Sequence, residues 1–147
     1  MRVLIAEDDE FSRLLLQRAV GLLGHDCLTA SDGPEALALF QTEKVDVIIS
    51  DWMMPGLNGP ELCRRIRAEG GLGRPYFILL TGMSEKKDVM DGMQAGADDY
   101  LKKPLDREEL QVRLLAAARV ADLHRELADK DAQIERLKRA LGRTASA

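Results

Sequence analysis

Carboxylates close two of the most apolar segments of the chain: Glu7-Asp8-Asp9 follows Val3-Leu4-Ile5-Ala6, and Asp51 follows Val47-Ile48-Ile49-Ser50. Unbroken apolar runs of this length mark strands buried on both faces of a parallel sheet, and the ligand crevice of such a sheet lies at the carboxyl ends of its strands. Acids far apart in sequence therefore meet in one pocket. Clustered carboxylates repel one another unless a cation joins them, and a hard ion that accepts a few carboxylates, waters and phosphate oxygens points to Mg²⁺. Asp8, Asp9 and Asp51 are the expected metal-binding acids. Two further strand ends bring complementary groups to the same rim: Thr81-Gly82 a hydroxyl, and Lys102-Lys103-Pro104 an ammonium. Hydroxyl, lysine and Mg²⁺ together suit the oxygens of a phosphoryl group in transfer. Asp51, opening the turn Trp52-Met53-Met54-Pro55-Gly56, is placed to act as nucleophile, so the chemistry implied is phosphorylation of Asp51 itself.

The elements that must position these residues follow from periodicity. Strand-sized runs at Val3 to Ala6, Cys27 to Ala30, Val45 to Ile49, Tyr76 to Leu80 and Asp99 to Leu101 alternate with amphipathic stretches. Four of those stretches are Phe11 to Leu23, Pro34 to Phe40, Gly59 to Ala68 and Glu85 to Ala95, and a fifth opens near Asp106. Five strands alternating with five helices predict a doubly wound α/β sandwich, a five-stranded parallel sheet of (βα)5 type. Gly33-Pro34 places proline in a first helical turn, Gly70-Gly71-Leu72-Gly73 closes the third helix, and Lys103-Pro104 stops the fifth strand.

Composition sets the bounds. A chain of 147 residues with 46% hydrophobic content buries one core, and its net charge of −4 disfavours a surface built to neutralise nucleic-acid phosphates. Cys27 and Cys63, with no metal-ligand spacing and no secretory signal ahead of them, read as reduced thiols in cytoplasm, Cys63 as a small core residue. No apolar run approaches the ~20 residues that span a bilayer. His25 and His124 have no ligating neighbours and read as surface residues. Trp52, beside Asp51, reads either as a ring at the mouth of the site or as plain packing. A Gly-x-x-x-x-Gly-Lys loop and a serine–histidine pair are both missing, which disfavours nucleotide hydrolysis and acyl transfer.

The ordered set Asp8-Asp9, Asp51 with Met54-Pro55-Gly56, Asn58-Gly59, Thr81-Gly82, Gly96-Ala97-Asp98-Asp99-Tyr100 and Lys103-Pro104 resembles the receiver domain of two-component response regulators. The resemblance extends over residues 1–120. It implies the flavodoxin-like fold and a phosphoryl group taken by Asp51 from a phosphohistidine of a sensor histidine kinase or histidine phosphotransfer protein. It implies Mg²⁺ held by Asp8, Asp9, Asp51 and the main-chain carbonyl of Met53, and it selects Lys103 over Lys102 as the active lysine. Thr81 would swing toward the phosphoryl oxygen and Tyr100 would turn inward behind it, reshaping the face of the fourth helix, fifth strand and fifth helix. On this reading the chain is no enzyme apart from catalysing its own phosphorylation and dephosphorylation. In receivers the positions two beyond the phosphoacceptor and the switch threonine flank the path of the hydrolytic water. Both are methionine here, Met53 and Met83, which predicts slow self-dephosphorylation.

The last helix outgrows such a domain. From Asp106 to about Leu141 neither glycine nor proline occurs, enough for roughly 50 Å of helix at 1.5 Å per residue. Residues 121–141 should project, leaving 142–147 as a frayed tail. Val120, Leu123, Leu127, Lys130, Ile134, Leu137 and Leu141 trace the a/d seam of a coiled coil, with Lys130 at a d position. This predicts a homodimer through the stalk, against the alternative of a helix folded back on its own domain. In a parallel pair Glu126 would face Asp131 of the partner, so orientation stays open. Six basic residues against five acidic ones over residues 122–147 make no nucleic-acid-binding arm. The competing functions are a Mg²⁺-dependent aspartyl phosphohydrolase, a coiled-coil adaptor, and the receiver portion of a larger effector such as a diguanylate cyclase.

Overall fold

The computed structural model describes residues 1–69, 74–82 and 86–145. Their elements alternate as β1 (Arg2–Ala6), α1 (Glu10–Leu22), β2 (Asp26–Ala30), α2 (Gly33–Thr42), β3 (Val47–Asp51), α3 (Gly59–Glu69), β4 (Tyr76–Thr81), α4 (Lys86–Gln94), β5 (Asp99–Lys102) and α5 (Arg107–Ala145). The strands form one parallel sheet in the order β2-β1-β3-β4-β5. This is the flavodoxin-like arrangement, and its strand order reverses direction between β1 and β3.

Alternate residues of each strand feed opposite faces. Leu4, Ala6, Ile48, Phe77 and Leu79 pack with Ala36 and Phe40 of α2, and with Leu62, Cys63 and Ile66 of α3. Val3, Ile5, Val47, Ile49, Ile78 and Leu80 pack with Leu16, Ala19 and Val20 of α1, and with Leu110, Leu114 and Ala117 of α5. Both faces of the central strands are covered, which explains why those strands read as continuous apolar runs. The second strand begins its bonding at Asp26 and is only half-buried over most of its length, as an edge strand should be.

Helix starts are written locally. Asp9 accepts from Ser12 N–H at 2.8 Å, Asp32 from Glu35 N–H at 2.8 Å, Asn58 from Glu61 N–H at 2.9 Å and Asp106 from Glu108 N–H at 2.9 Å. Each cap satisfies a main-chain donor that the first turn leaves open, so the helices begin at fixed distances from the strand ends. The glycine run expected to close α3, residues 70–73, lies outside the described residues, as does the start expected for α4 at Glu85.

Helix α5 runs for 39 residues, and it does not end at Leu141 but continues through Gly142 to Ala145. A single glycine weakens a helix without supplying a stop when no proline follows. Its buried anchors end at Ala117, and farther along Leu123, Leu127, Ile134, Leu137 and Leu141 stand exposed. No helix among the described residues is long and apolar enough to cross a membrane.

Candidate functional site

The sheet reverses between β1 and β3, so their carboxyl ends diverge from the covering connections and leave a crevice. Register pairs Ala6 with Ser50, which sets the next residues, Glu7 and Asp51, side by side. Carboxylate oxygens of Glu7, Asp8 and Asp51 lie within 4.8 Å of one another, Glu7 and Asp51 buried and Asp8 exposed. This corrects the expected acid set. Asp9 is one residue too far along: its side chain caps α1 on Ser12 and is fully solvated, and the backbone Ser12 N–H holds its carboxyl below the usual range. Glu7 takes the place in the pocket. The signal was available in the sequence, because Glu7 is the residue immediately beyond the first apolar run, as Asp51 is the last residue of its own.

Lys103 closes the pocket from the opposite side. Its Nζ lies 3.0 Å from Asp51 Oδ1 and 3.7 Å from Glu7 Oε2. The peptide bond Lys103–Pro104 is cis, and Lys103 N–H donates to Thr81 O at 2.8 Å, tying the β5 end to the β4 end. Lys102 is exposed. Burial alone would lower the Lys103 ammonium's pKa, but hydrogen bonding and attraction to Asp51, then Glu7, hold it above its ordinary value. Glu7 behaves oppositely: burial first, then the charge of Asp51, pushes it up to about 7. Its Oε1 accepts Asp9 N–H at 3.2 Å, while Oε2 is buried without a hydrogen bond. A buried oxygen without a hydrogen bond, beside two other carboxylates, suits a small hard cation.

The remaining expected residues frame this pocket. Thr81 ends β4 and is 1% exposed, one strand away from Asp51, whose register partner is Leu80. Tyr100 is half-buried on β5 and packs against the core face covered by α2 and α3. The Met53 side chain is 62% exposed at the rim, and Met83 lies outside the described residues. Trp52 is half-buried and packs against α4, where a Cβ on Gly92 would meet its ring at 2.8 Å. Its main chain bridges elements, with N–H to Leu80 O at 3.0 Å and its carbonyl accepting from Gly59 N–H at 2.8 Å. Gly59 is required there, since a Cβ would stand 2.6 Å from Asp51 O. The histidines are remote: His25 Nδ1 meets the N-terminal amine at 3.1 Å, at the amino ends of the strands, and His124 of α5 lines a cleft shared with Phe40 and Val45.

Comparison with known proteins points to one family. The family described as response regulator receiver domain matches residues 3–115. The "Probable transcriptional regulator ycf27" of Guillardia theta is 40% identical over 118 residues, covering 80% of this chain and 45% of that protein. The alkaline phosphatase synthesis transcriptional regulatory protein PhoP of Bacillus subtilis is 38% identical over 122 residues, covering 83% and 50%. The chain thus spans about half the length of the curated relatives it matches. Among solved structures, the receiver domain of Francisella response regulator 1452 superposes with TM-score 0.74 at 34% identity, covering 79% of this chain and 94% of that one. The receiver domain of the sensor histidine kinase PA1611 from Pseudomonas aeruginosa, solved with magnesium in its active-site cleft, gives 0.70 at 31%, covering 77% and 93%.

Proposed function

The chain belongs to the response regulator receiver domain family, and from that premise we propose that Asp51 accepts a phosphoryl group from a phosphohistidine of a sensor histidine kinase or phosphotransfer protein. The observation that carries the assignment is Lys103 Nζ at 3.0 Å from Asp51 Oδ1, in a pocket shared with Glu7 and Asp8. An Asp51 oxygen attacks phosphorus, the new O–P bond forms as the P–N bond breaks, and the electron pair stays on the imidazole nitrogen. Lys103 moves its ammonium from the carboxylate to an oxygen of the incoming group, and the Thr81 hydroxyl donates to another. Glu7, Asp8 and Asp51, with the Met53 carbonyl, would hold Mg²⁺, which when bound offsets the charge of the phosphoryl oxygens. The orphaned Glu7 Oε2 supports that ligand set over one containing Asp9.

Phosphorylation shifts a population by the contacts that the added group makes in one state only. Thr81 moving toward it frees room behind, into which Tyr100 turns, and the α4–β5–α5 face changes shape. Met53 offers a hydrolytic water no strong hydrogen-bonding group, so the phosphorylated state decays slowly. The exposed seam of α5 pairs two copies, and the protein acts in the cytoplasm as the receiver portion of a signalling output.

The test is phosphorylation by a small-molecule donor, acetyl phosphate, read as an acid-stable, base-labile adduct by mass spectrometry. One adduct per chain is expected with Mg²⁺, none in EDTA and none for Asp51→Asn. Continuous phosphate release without an adduct would instead identify a phosphohydrolase.

A further inference from the structure

Glu7 is held at three points and open at a fourth. Its N–H donates to Ala30 O at 3.1 Å, the last bond from this strand to β2, and its Oε1 accepts Asp9 N–H at 3.2 Å. Its carbonyl accepts from Arg13 Nη1 at 2.9 Å. Only Oε2 carries no hydrogen bond, and that is the oxygen facing Lys103 in the carboxylate cluster. Glu7 is 1% exposed, so a carbonyl there costs free energy unless something bonds to it. The strand has ended, and Arg13, six residues on and half-buried near the start of α1, reaches back to supply the donor.

We propose that Arg13 is a positioning residue for the metal-binding turn, holding the Glu7 carbonyl so that the Glu7 and Asp8 carboxylates stand ready for a divalent cation. The inference rests on the proposed Mg²⁺ role of those acids. Residues that orient ligands without touching the metal commonly contribute about 10- to 100-fold to its affinity, because an unsupported ligand must be ordered at binding. A guanidinium is well matched to this role, because it is always charged, planar and weakly hydrated and so can stay against a buried carbonyl.

A plain electrostatic role predicts the opposite sign. Arg13 is a cation beside an anionic pocket, and as a bare charge it repels Mg²⁺, so its removal would tighten binding. As a support for the turn, its removal weakens binding. Calorimetric titration of Mg²⁺ into the whole chain decides between them. For Arg13→Gln the Kd for Mg²⁺ should rise about 10-fold, and Arg13→Lys, with the charge and a single donor, should fall between it and the unaltered protein. The phosphorylation rate from acetyl phosphate should recover to within about twofold at saturating Mg²⁺, a defect of binding and not of the chemical step. Amide exchange at Asp8 and Asp9 in EDTA should speed up in Arg13→Gln, reporting the loosened turn with no metal present.

Unchanged or tighter Mg²⁺ binding by Arg13→Gln, with the unaltered protein binding normally, overturns the proposal and leaves the function of the pocket intact. Failure of the unaltered protein to bind Mg²⁺ overturns both.

Discussion

At the scale of single residues, the pocket stores an electrostatic conflict in the metal-free protein. Glu7 and Asp51 share a buried space with one ammonium between them, and burial, then the charge of Asp51, pushes the Glu7 carboxyl up from 4.5 to about 7. A carboxyl whose folded pKa is raised binds a proton more tightly in the folded state. Stability in EDTA is therefore greatest below about pH 4.5 as far as this group is concerned, and falls as pH rises through 7. A thermal melt in EDTA should show that decline between pH 5 and 8 as a lowered Tm. Glu7→Gln should remove the Glu7 contribution, raise the melting temperature at pH 8, and weaken Mg²⁺ binding. A second residue-scale expectation concerns Met53, whose exposed thioether stands at the rim. Met53→Asn gives a water a hydrogen-bonding partner and should shorten the lifetime of phosphorylated Asp51 severalfold, measured by decay of the adduct after donor removal.

At the scale of elements, the site depends on how closely helices approach strand ends. Gly59 lets α3 begin against the carbonyl of Asp51, and any Cβ would also stand 2.7 Å from Leu79 Cδ2. Gly59→Ala should destabilise the fold by about 1–3 kcal/mol in urea titration, the usual cost of overpacking. It should also slow phosphorylation, since the obstructed atom belongs to the phosphoacceptor. Helix α4 meets the same kind of constraint at Gly92, where Leu79 and the Trp52 ring fill the space a side chain would need. Its far end is pinned by Arg67, which donates to Gly96 O at 3.1 Å, to Pro75 O at 2.7 Å and to Asp98 Oδ2 at 2.7 Å. With its end anchored there and Gly92, in its last turn, resting on the residue after Asp51, α4 is placed to respond to changes at the pocket.

At the scale of the whole molecule, the C-terminal part of the long helix stands apart from the core. Beyond Ala117 it buries little, and the ion pairs there, Arg125 with Asp122 at 3.3 Å and Lys138 with Glu135 at 4.0 Å, are solvated pairs that contribute little to stability. An apolar seam left exposed for this length is unfavourable for a single chain in water. A dimer by light scattering is the expected state, and Ile134→Asp should give a monomer. Lys130→Leu replaces the one polar d position and should lower the dimer Kd, because a polar residue in the seam costs stability. Repeating the measurement with beryllium fluoride, a mimic of the phosphoryl group, asks whether the pocket controls the pairing.

Sequence alone determined the α/β class, the five-by-five alternation and the candidate residues Asp51, Thr81 and Lys103, because apolar runs ending in polar residues state where strands stop. It also came within a residue of four helix starts, which Asp9, Asp32, Asn58 and Asp106 cap through bonds only two or three residues long. What it left undecided turns on distance and direction. Three consecutive acids follow β1, and which of them enter the pocket depends on the register of Ala6 with Ser50 and on the turn into α1. The position of Glu7 directly after the apolar run only hints at the outcome; the register with β3 is what carried Glu7 inward and left Asp9 outside the pocket. Tertiary structure likewise turned Trp52 under α4 and brought Lys103 across the sheet to Asp51. Local propensity acts over a few residues, whereas these placements depend on strand register and helix packing between segments tens of residues apart.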